Sequence, residues 1–336
     1  MTLELPSPYL IFLGDASEAA YAKTAFGLRD WAPERCVGEL SCGGSMSVGL
    51  PTMTPGQARE AGAKSIVIGV ANYGGVIRDS WIDPLCAALE AGLDVISGMH
   101  GRLEQSTALA TAARKFGRQL IDVRVPPRDI PVATGRKRSG KRLLTVGTDC
   151  ALGKKYTALA LTRAFNEAGG HAQFRATGQT GILIAGAGIP IDAVVADFVA
   201  GAAEMLTPDA APDHWDVVEG QGSVFHPSYA GVSLGLLHGT QPDVIVLCHA
   251  VGRDRVLGLE QFATPTLSEA IQLNLMLARR VNPHVRCAGV SINTFGLSAG
   301  EARAYLYEHS KALQLPVADP MRPGGELKEL VSSCLY

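Results

Sequence analysis

The sequence predicts an α/β protein of two domains, each organised around a parallel sheet. The chain has 336 residues, which exceeds one ordinary hydrophobic core and suits two domains of roughly 100 to 200 residues each. Short apolar runs alternate with stretches of helical periodicity in both halves, and this alternation is typical of parallel sheets covered by helices. A segment rich in proline, glycine and basic residues separates the halves. We therefore expect domains at 1–123 and 143–336, joined by a linker at 124–142.

The amino-terminal domain is predicted to be doubly wound and Rossmann-like. Its strands are expected at 9–13, 65–70 and 94–97, and its helices at 80–91 and 104–116. Ligands of such sheets bind beyond the carboxyl ends of the strands. That edge would carry Gly14 and Asp15, residues 72–75, and residues 98–100. A small-molecule site is expected there.

The segment 124–142, RVPPRDIPVATGRKRSGKR, shows neither helical nor strand periodicity. Two interpretations of its basic residues remain open. They form either a solvated connection, as charge runs usually do, or an electrostatic guide for an anionic ligand.

The carboxyl-terminal domain resumes the alternation and is expected to be a parallel α/β domain of the P-loop NTPase kind. The expected strands are 143–146, 172–175, 216–218, 244–248 and 288–292. The expected helices are 155–168, 191–205, 229–237, 267–280, 298–313 and 325–335.

The stretch VGTDCALGKKYT, at 146–157, has the context of a phosphate-binding loop (P-loop). Gly147 ends an apolar strand, and Gly153 with Lys154 opens an amphipathic helix. Backbone N–H groups between them can converge on an anion, and the helix N-terminus adds partial positive charge. The spacing is one residue longer than the common GxxxxGK[ST] pattern. The predicted cofactor contacts are Gly147, Thr148, Asp149, Cys150, Ala151, Leu152, Gly153, Lys154, Lys155 and Tyr156.

Lys155 stands where P-loop NTPases place the Ser or Thr hydroxyl that coordinates magnesium. An ammonium is a donor without acceptor capacity, so this residue removes a metal ligand and adds a charge that repels the ion. Thr157, two residues further along the helix, would point elsewhere. We therefore expect a polyphosphate held without metal, such as the diphosphate of coenzyme A.

Three segments resemble dethiobiotin synthetase and its relatives among the P-loop proteins. The GTD-x-x-x-GK wording follows a strand, VVEGQG at 217–222 resembles the acidic motif of that group, and SINT at 291–294 lies where those proteins place a base-contacting asparagine. The resemblance implies phosphate binding by the loop.

The whole chain resembles the D-glutamate N-acetyltransferase family of two-domain P-loop proteins. The resemblance spans nearly all of the chain and is carried by 72–75 with Trp81, 97–100, 147–154, 176–181, 192–204 and 218–227. It implies acetyl transfer from acetyl-coenzyme A to the amino group of D-glutamate or a related D-amino acid, in D-amino-acid catabolism. Two alternatives remain open: an ATP-dependent ligase or kinase of the dethiobiotin synthetase type, and a non-enzymatic nucleotide sensor.

An amine that attacks a thioester needs a base, a donor for the oxyanion, and orientation of both substrates. Glu219 is the leading base candidate because it ends an apolar strand beside glycines; a structural hydrogen bond or an inherited metal or water ligand is the alternative. His226 suits proton transfer near neutrality, or it caps the start of a helix. Cys150 is a further alternative as a covalent acetyl carrier.

Four residues are predicted to contact the carboxylates of the acceptor: Arg175, Gln179, Thr180 and Gln221. A guanidinium fork matches a carboxylate, but Arg175 is equally consistent with a salt bridge. His100 and Asn72 would complete the pocket if the two domains face each other. Asp149 is expected to orient Lys154 or to complete a water site.

Composition limits the partners. The net charge of −2 and the pI near 6.5 provide no basic field for nucleic acid. The seven cysteines show neither a CxxC pair nor zinc spacing, which argues against disulfides and a structural metal. The amino terminus lacks the basic region of a signal peptide, and no apolar stretch approaches the length of a membrane span. We expect a cytoplasmic homo-oligomer that binds small molecules.

Overall fold

The computed structural model describes residues 3–70, 75–322 and 324–336, with only the backbone of Ala20. The chain forms two compact units. Unit 1 comprises Met1–Pro127 and Gln179–Pro190, and unit 2 comprises Arg128–Gly178 and Ile191–Tyr336. Each unit is built on a parallel sheet, so the predicted α/β class and the Rossmann-like and P-loop organisation are confirmed.

The strands, in chain order, are β1 (Leu3–Glu4), β2 (Tyr9–Gly14), β3 (Cys36–Ser41), β4 (Ser65–Ile68), β5 (Asp94–Ser97), β6 (Leu120–Asp122), β7 (Lys141–Gly147), β8 (His171–Arg175), β9 (Ala187–Gly188), β10 (His214–Val218), β11 (Val244–Ala250), β12 (Arg255–Val256), β13 (Leu259–Ala263), β14 (Arg286–Asn293) and β15 (Val317–Ala318). The helices are α1 (Lys23–Trp31), α2 (Pro55–Glu60), α3 (Asp79–Glu90), α4 (Thr107–Phe116), α5 (Lys154–Glu167), α6 (Gln179–Ala185), α7 (Val199–Leu206), α8 (Ala230–Thr240), α9 (Leu267–Ala278), α10 (Ala299–Leu313) and α11 (Gly325–Leu335).

Unit 1 holds a five-stranded sheet in the order β3-β2-β4-β5-β6, with neighbouring strands parallel. Strand β2, which lies between β3 and β4, is fully buried, as the apolar run at 9–13 predicts. Asp15 follows this strand, where its carboxylate accepts hydrogen bonds from Trp81 Nε1 at 2.9 Å and from Arg78 Nη1 at 2.6 Å. The predicted ligand segment at 72–75 lies, except for Gly75, outside the described residues.

Unit 1 includes a segment that the sequence assigned to the other domain. Helix α6 presents the buried side chains of Ile182, Leu183 and Ile184 and packs against α1, and β9 pairs with β1. Residues 179–190 belong to unit 1 because α6 packs against α1, although they follow β8 of unit 2 in the chain.

Unit 2 holds a six-stranded parallel sheet in the order β15-β14-β11-β7-β10-β8. Helix α5 covers one face with a core in which the rings of Phe165 and Trp215 meet edge to face at 5.4 Å. Strand β7 is central, between β10 and β11. Because the strands are parallel, the loops that follow these three strands lie at one edge of the sheet.

The basic segment at 124–142 is not a linker of the kind expected. From Arg128 onward it belongs to unit 2, and Lys141 and Arg142 are already part of β7. Arg138 is buried and donates to the Thr207 carbonyl at 2.6 Å and the Gly239 carbonyl at 2.7 Å. Arg142 is fully buried and donates to the carbonyls of Arg138 and Ser139. Because both guanidinium groups are buried and donate to backbone carbonyls, Arg138 and Arg142 neither belong to a solvated linker nor guide an anionic ligand.

The expected helix at 191–205 is wrong in its first half. Two 3₁₀ turns, Ile191–Ala193 and Ala196–Phe198, precede α7. The adjacent β-branched residues Val194 and Val195 lie between the turns, and Val195, with φ −58° and ψ 137°, is not helical.

Candidate active site

The P-loop links β7 to α5 in unit 2, as the sequence predicts. Gly153 takes a φ of +108° immediately before the helix, a conformation that strains any residue with a Cβ. Ala151 also has a positive φ, of 54°. These two reversals turn the chain sharply enough to place Lys154 at the first position of α5. The loop therefore has the strand, turn and helix N-terminus that an anion cradle requires.

Lys154 is buried, at 6% exposure, and its Nζ donates to the Asp149 carbonyl at 2.7 Å. Burial lowers the pKa of its ammonium, while the nearby carboxyl groups of Asp149 and Glu219 oppose that shift. Two glycines make room for the side chain. A Cβ at Gly147 would lie 3.0 Å from Nζ, and one at Gly220 would lie 3.2 Å from Cδ of Lys154.

Lys155 is half-buried, and burial lowers the pKa of its ammonium while the charge of Glu219 acts to raise it. The ammonium also lies 4.3 Å from the centre of its neighbour's ring, Tyr156. Thr157 is buried and shares a 2.7 Å hydrogen bond with Ser291 Oγ, so its hydroxyl does point elsewhere. P-loop NTPases have a metal-binding hydroxyl at this position. Here the position is taken by the ammonium of Lys155, which interacts with the charge of Glu219.

Glu219 follows β10 and is buried at 5% exposure. Its Oε2 accepts hydrogen bonds from the backbone N–H groups of Thr177 at 3.0 Å and Gly178 at 3.1 Å. Burial raises the pKa of the carboxyl above its usual value, although Lys155 and the two amide donors act to lower it. A carboxylate whose pKa is raised toward neutrality is suited to accept a proton.

The predicted acceptor-binding residues lie in different surroundings. Gln221 Nε2 donates to Thr177 Oγ1 at 2.9 Å, which places it beside Glu219. Arg175 Nε donates to the buried carboxylate of Asp216 at 2.6 Å. Since Val218, not Asp216, stands opposite Arg175 in the sheet register, the guanidinium folds back along the strand. The salt-bridge interpretation therefore describes Arg175 in this structure.

Gln179 and Thr180 begin α6 in unit 1. The Gln179 side chain packs on Gly98, where a Cβ would lie 2.4 Å from its Oε1, and Thr180 Oγ1 is 3.1 Å from Thr24 Oγ1. His100 lies beside Gly75 in the same unit. Asn72 lies outside the described residues.

Asp149 is fully buried in the loop, and its two carboxylate oxygens have different surroundings. Oδ2 accepts from Arg253 Nη1 at 2.8 Å and from the Leu257 N–H at 2.9 Å. Oδ1 has no hydrogen-bond partner among the described residues. Burial acts to raise the pKa of Asp149, but the backbone N–H groups of Leu257 and Cys150 and the Arg253 guanidinium together keep it below its usual range.

His226 is buried at 3% exposure, and its Nε2 lies 3.9 Å from Asp149 Oδ1. Its Nδ1 accepts the backbone N–H of Ser228 at 3.1 Å. The ligand atoms of Asp149, Cys150 and His226 all lie within 4.8 Å of one another. Burial raises the pKa of the Cys150 thiol, so its surroundings do not favour the thiolate that a covalent acetyl carrier needs.

Two functional candidates escaped the sequence analysis because their contacts are long-range. His249 lies near the end of β11, and Arg253 follows this strand. Both residues contact the P-loop from the side of β11. Arg253 binds the Asp149 carboxylate, and His249 Nδ1 is 2.9 Å from Thr148 Oγ1. No local sequence pattern indicates these contacts, because they depend on β11 lying next to β7 in the sheet.

A cavity of about 420 Å³ opens beside the loop, within unit 2. It lies between the first turn of α5 and the end of β14, and Tyr156, Asn293 and Arg322 contribute to its walls. The segment 291–294 was singled out by its likeness to a base-contacting motif, and the structure places Asn293 in this wall. A second cavity of about 430 Å³ is lined in part by His249, Arg253 and His309.

No helix among the described residues is long and apolar enough to span a bilayer.

Comparisons with known proteins agree with this architecture. Two family models match: a Rossmann-like domain of unknown function, DUF1611_N, at residues 35–126, and a P-loop domain of unknown function, DUF1611_C, at residues 131–331. A protein of Tritonibacter scottomollicae named D-glutamate N-acetyltransferase is 50% identical over 95% of this chain and 96% of its own. A protein of the same name from a Pseudoalteromonas species is 45% identical over 96% of this chain and 97% of its own. The crystal structure of a DUF1611 family protein from Anabaena variabilis aligns with a TM-score of 0.84 and 31% identity, covering 97% of this chain and 99% of that one.

Proposed function

Because the chain belongs to the DUF1611 family, we propose that it is an N-acetyltransferase that moves an acetyl group from acetyl-coenzyme A to the amino group of D-glutamate. The protein is an acyltransferase acting on small molecules. The observation that carries the proposal is full-length identity of 45 to 50% to two proteins of that name, together with a P-loop that bears Lys155 in place of the metal-binding hydroxyl.

Acetyl-coenzyme A is the proposed ligand of the loop. Its diphosphate would lie on the N-terminus of α5, with Lys154 released from the Asp149 carbonyl to pair with a phosphate oxygen. Its adenine would enter the adjacent cavity, where Asn293 offers an amide to the base edge. The ammonium of Lys155 would supply positive charge that magnesium supplies in NTPases, so no metal is needed for this binding.

Glu219 is the proposed general base. It is buried, its pKa is raised, and it lies at the same sheet edge as the loop. Gln221, beside it, is a proposed acceptor contact. Gln179 and Thr180 remain predicted acceptor contacts, whereas Arg175 is already engaged by Asp216. We propose that the enzyme works in the cytoplasm as a homo-oligomer.

The alternative, an ATP-dependent ligase or kinase, would need Asp149 and Glu219 to hold magnesium. The structure does not favour this arrangement. Asp149 Oδ2 is paired with Arg253, and the charge beside Glu219 is that of Lys155. A cation at either carboxylate would have to displace or oppose an existing cation.

The experiment is a coenzyme A release assay with acetyl-coenzyme A and a panel of D- and L-amino acids, in EDTA. We expect thiol release that depends on D-glutamate and mass-spectrometric detection of its N-acetyl product. Magnesium-dependent hydrolysis of ATP without any thiol release would support the alternative instead.

A further inference from the structure

The cluster of Asp149 and His226 presents one hydrogen-bond donor beside one unpaired acceptor, both buried. The hydrogen bond from the Ser228 N–H to Nδ1 decides the state of the ring. A neutral imidazole that accepts at Nδ1 must carry its hydrogen on Nε2. His226 therefore turns an N–H, rather than a lone pair, toward the loop.

The same hydrogen bond opposes a metal ion bound by Asp149, Cys150 and His226. A metal at Nε2 would require the hydrogen on Nδ1, where it would face the Ser228 N–H. It also opposes a nucleophilic Cys150, because Nε2 has no lone pair free to take the thiol proton. The group that remains unexplained is Asp149 Oδ1, which is buried and lacks a partner among the described residues.

The spacing of the two groups allows one bound group to contact both. Nε2 and Oδ1 are 3.9 Å apart, too far for a direct hydrogen bond, which needs about 3 Å. An oxygen bonded to Nε2 and an N–H bonded to Oδ1 can be carried by one carbon atom between them. The tetrahedral intermediate of amide formation has this pair of substituents on one carbon.

We propose that His226 and Asp149 are catalytic residues that bind this intermediate, with the His226 Nε2–H donating to the former thioester oxygen and Asp149 Oδ1 accepting from the attacking amine. The inference rests on the proposed function and deepens it: because the coenzyme diphosphate is placed on the same loop, the inference requires the pantetheine arm to fold back toward Asp149. Arg253 and Leu257 hold the other oxygen of Asp149, so Oδ1 is fixed in its orientation. Preorganised groups of this kind stabilise charge as it develops in the transition state.

The reaction balances as follows. The α-ammonium gives one proton to Glu219, which passes it to solvent, and the neutral amine forms the N–C bond as the carbonyl electron pair moves to oxygen. That oxyanion accepts the hydrogen bond from His226. Collapse re-forms the C=O bond and breaks the C–S bond, and the departing thiolate takes the second proton from nitrogen. Asp149 and His226 gain and lose no proton overall.

Two substitutions of His226 separate this role from a structural one. In His226→Gln the amide nitrogen reaches the place of Nε2 and keeps a donor there. In His226→Asn the amide oxygen reaches only the place of Nδ1, so it keeps the Ser228 contact and loses the donor. We expect kcat of the Asn variant to fall about 100- to 1000-fold, as when an oxyanion donor is removed, and kcat of the Gln variant to fall less than about 10-fold. Affinity for acetyl-coenzyme A should stay within about twofold in both.

An Asn variant at least as active as the Gln variant would overturn the role of His226 as a donor. Asp149→Asn tests the acceptor: its oxygen would keep the Leu257 and Arg253 contacts and turn the amide toward His226. We expect a loss of about 10-fold or more in kcat/KM for D-glutamate. An unchanged kcat/KM would overturn the acceptor role. A wild-type enzyme that releases no thiol would overturn the proposed function itself.

Discussion

Lys154 is the residue proposed to pair with a phosphate of the coenzyme. Lys154 is buried and bonded to the Asp149 carbonyl, and the proposed phosphate oxygen would take the place of that carbonyl as its partner. We predict that Lys154→Ala weakens acetyl-coenzyme A binding by about 2 to 4 kcal/mol, as expected for a charge-assisted bond in a dry site. Isothermal titration calorimetry would measure it, with the exposed Lys311→Ala as control. If Lys154→Ala and Lys311→Ala bound acetyl-coenzyme A equally tightly, the loop would not be part of the coenzyme site.

Lys155 distinguishes this loop from that of an NTPase. We predict that Lys155→Thr makes acetyl-coenzyme A binding weaker in EDTA and partly restores it when magnesium is added, because the hydroxyl is a metal ligand that the ammonium is not. Titrations of both proteins with and without magnesium test this. A variant that binds as tightly as the wild type in EDTA would contradict the charge-replacement argument.

Ionised Glu219 lowers the stability of the fold because it is buried, in addition to its proposed role as the general base. Its folded-state pKa is raised by burial, so its contribution to stability is fully present below the unfolded pKa of about 4.3 and is lost as the pH rises through the folded pKa. We predict that Glu219→Gln raises Tm at pH 7 more than at pH 4. We also predict that kcat falls and that the increase of kcat with pH, caused by deprotonation of the base, disappears. Thermal denaturation at both pH values, beside the pH–rate profile, tests the two effects. An unaltered profile would dismiss Glu219 as the base.

At the scale of elements, the basic segment before β7 is a part of the folded unit. Arg138→Ala would leave the buried carbonyls of Thr207 and Gly239 without their donor. We predict that it lowers the free energy of unfolding by about 2 to 4 kcal/mol. Arg136→Ala, in the same segment, removes an exposed ion pair with Asp209 and should change stability little. Urea denaturation compares them, and equal stabilities would restore the linker interpretation.

The elements that the sequence located are those whose signal is local. The fully apolar run of β2, the strand before Gly147 and the amphipathic helix after Lys154 all lie within one or two residues of the expected bounds. The partly polar β3 and the short hairpin of β12 and β13 were missed, since neither presents a continuous apolar run. The break before α7 was missed because helical spacing of apolar residues continues through it.

At the scale of the whole molecule, the site was only partly predictable because it depends on sheet order. The loop and Glu219 were identified from motifs, yet the approach of His226 to Asp149 depends on the ends of β7 and β10 lying side by side. The pairing of Arg253 with Asp149 likewise depends on β11 being the other neighbour of β7. Adjacency of strands far apart in the chain leaves no local pattern, so these contacts appear only in the fold.

In the proposed function, this P-loop binds a thioester coenzyme without a metal ion. The most direct measurement is calorimetric titration of the purified protein, in EDTA, with acetyl-coenzyme A, set beside titration with ATP in excess magnesium. We predict saturable binding of acetyl-coenzyme A in EDTA that magnesium does not strengthen, and weaker binding of magnesium-ATP. Tight binding of magnesium-ATP with no heat from acetyl-coenzyme A would contradict the account.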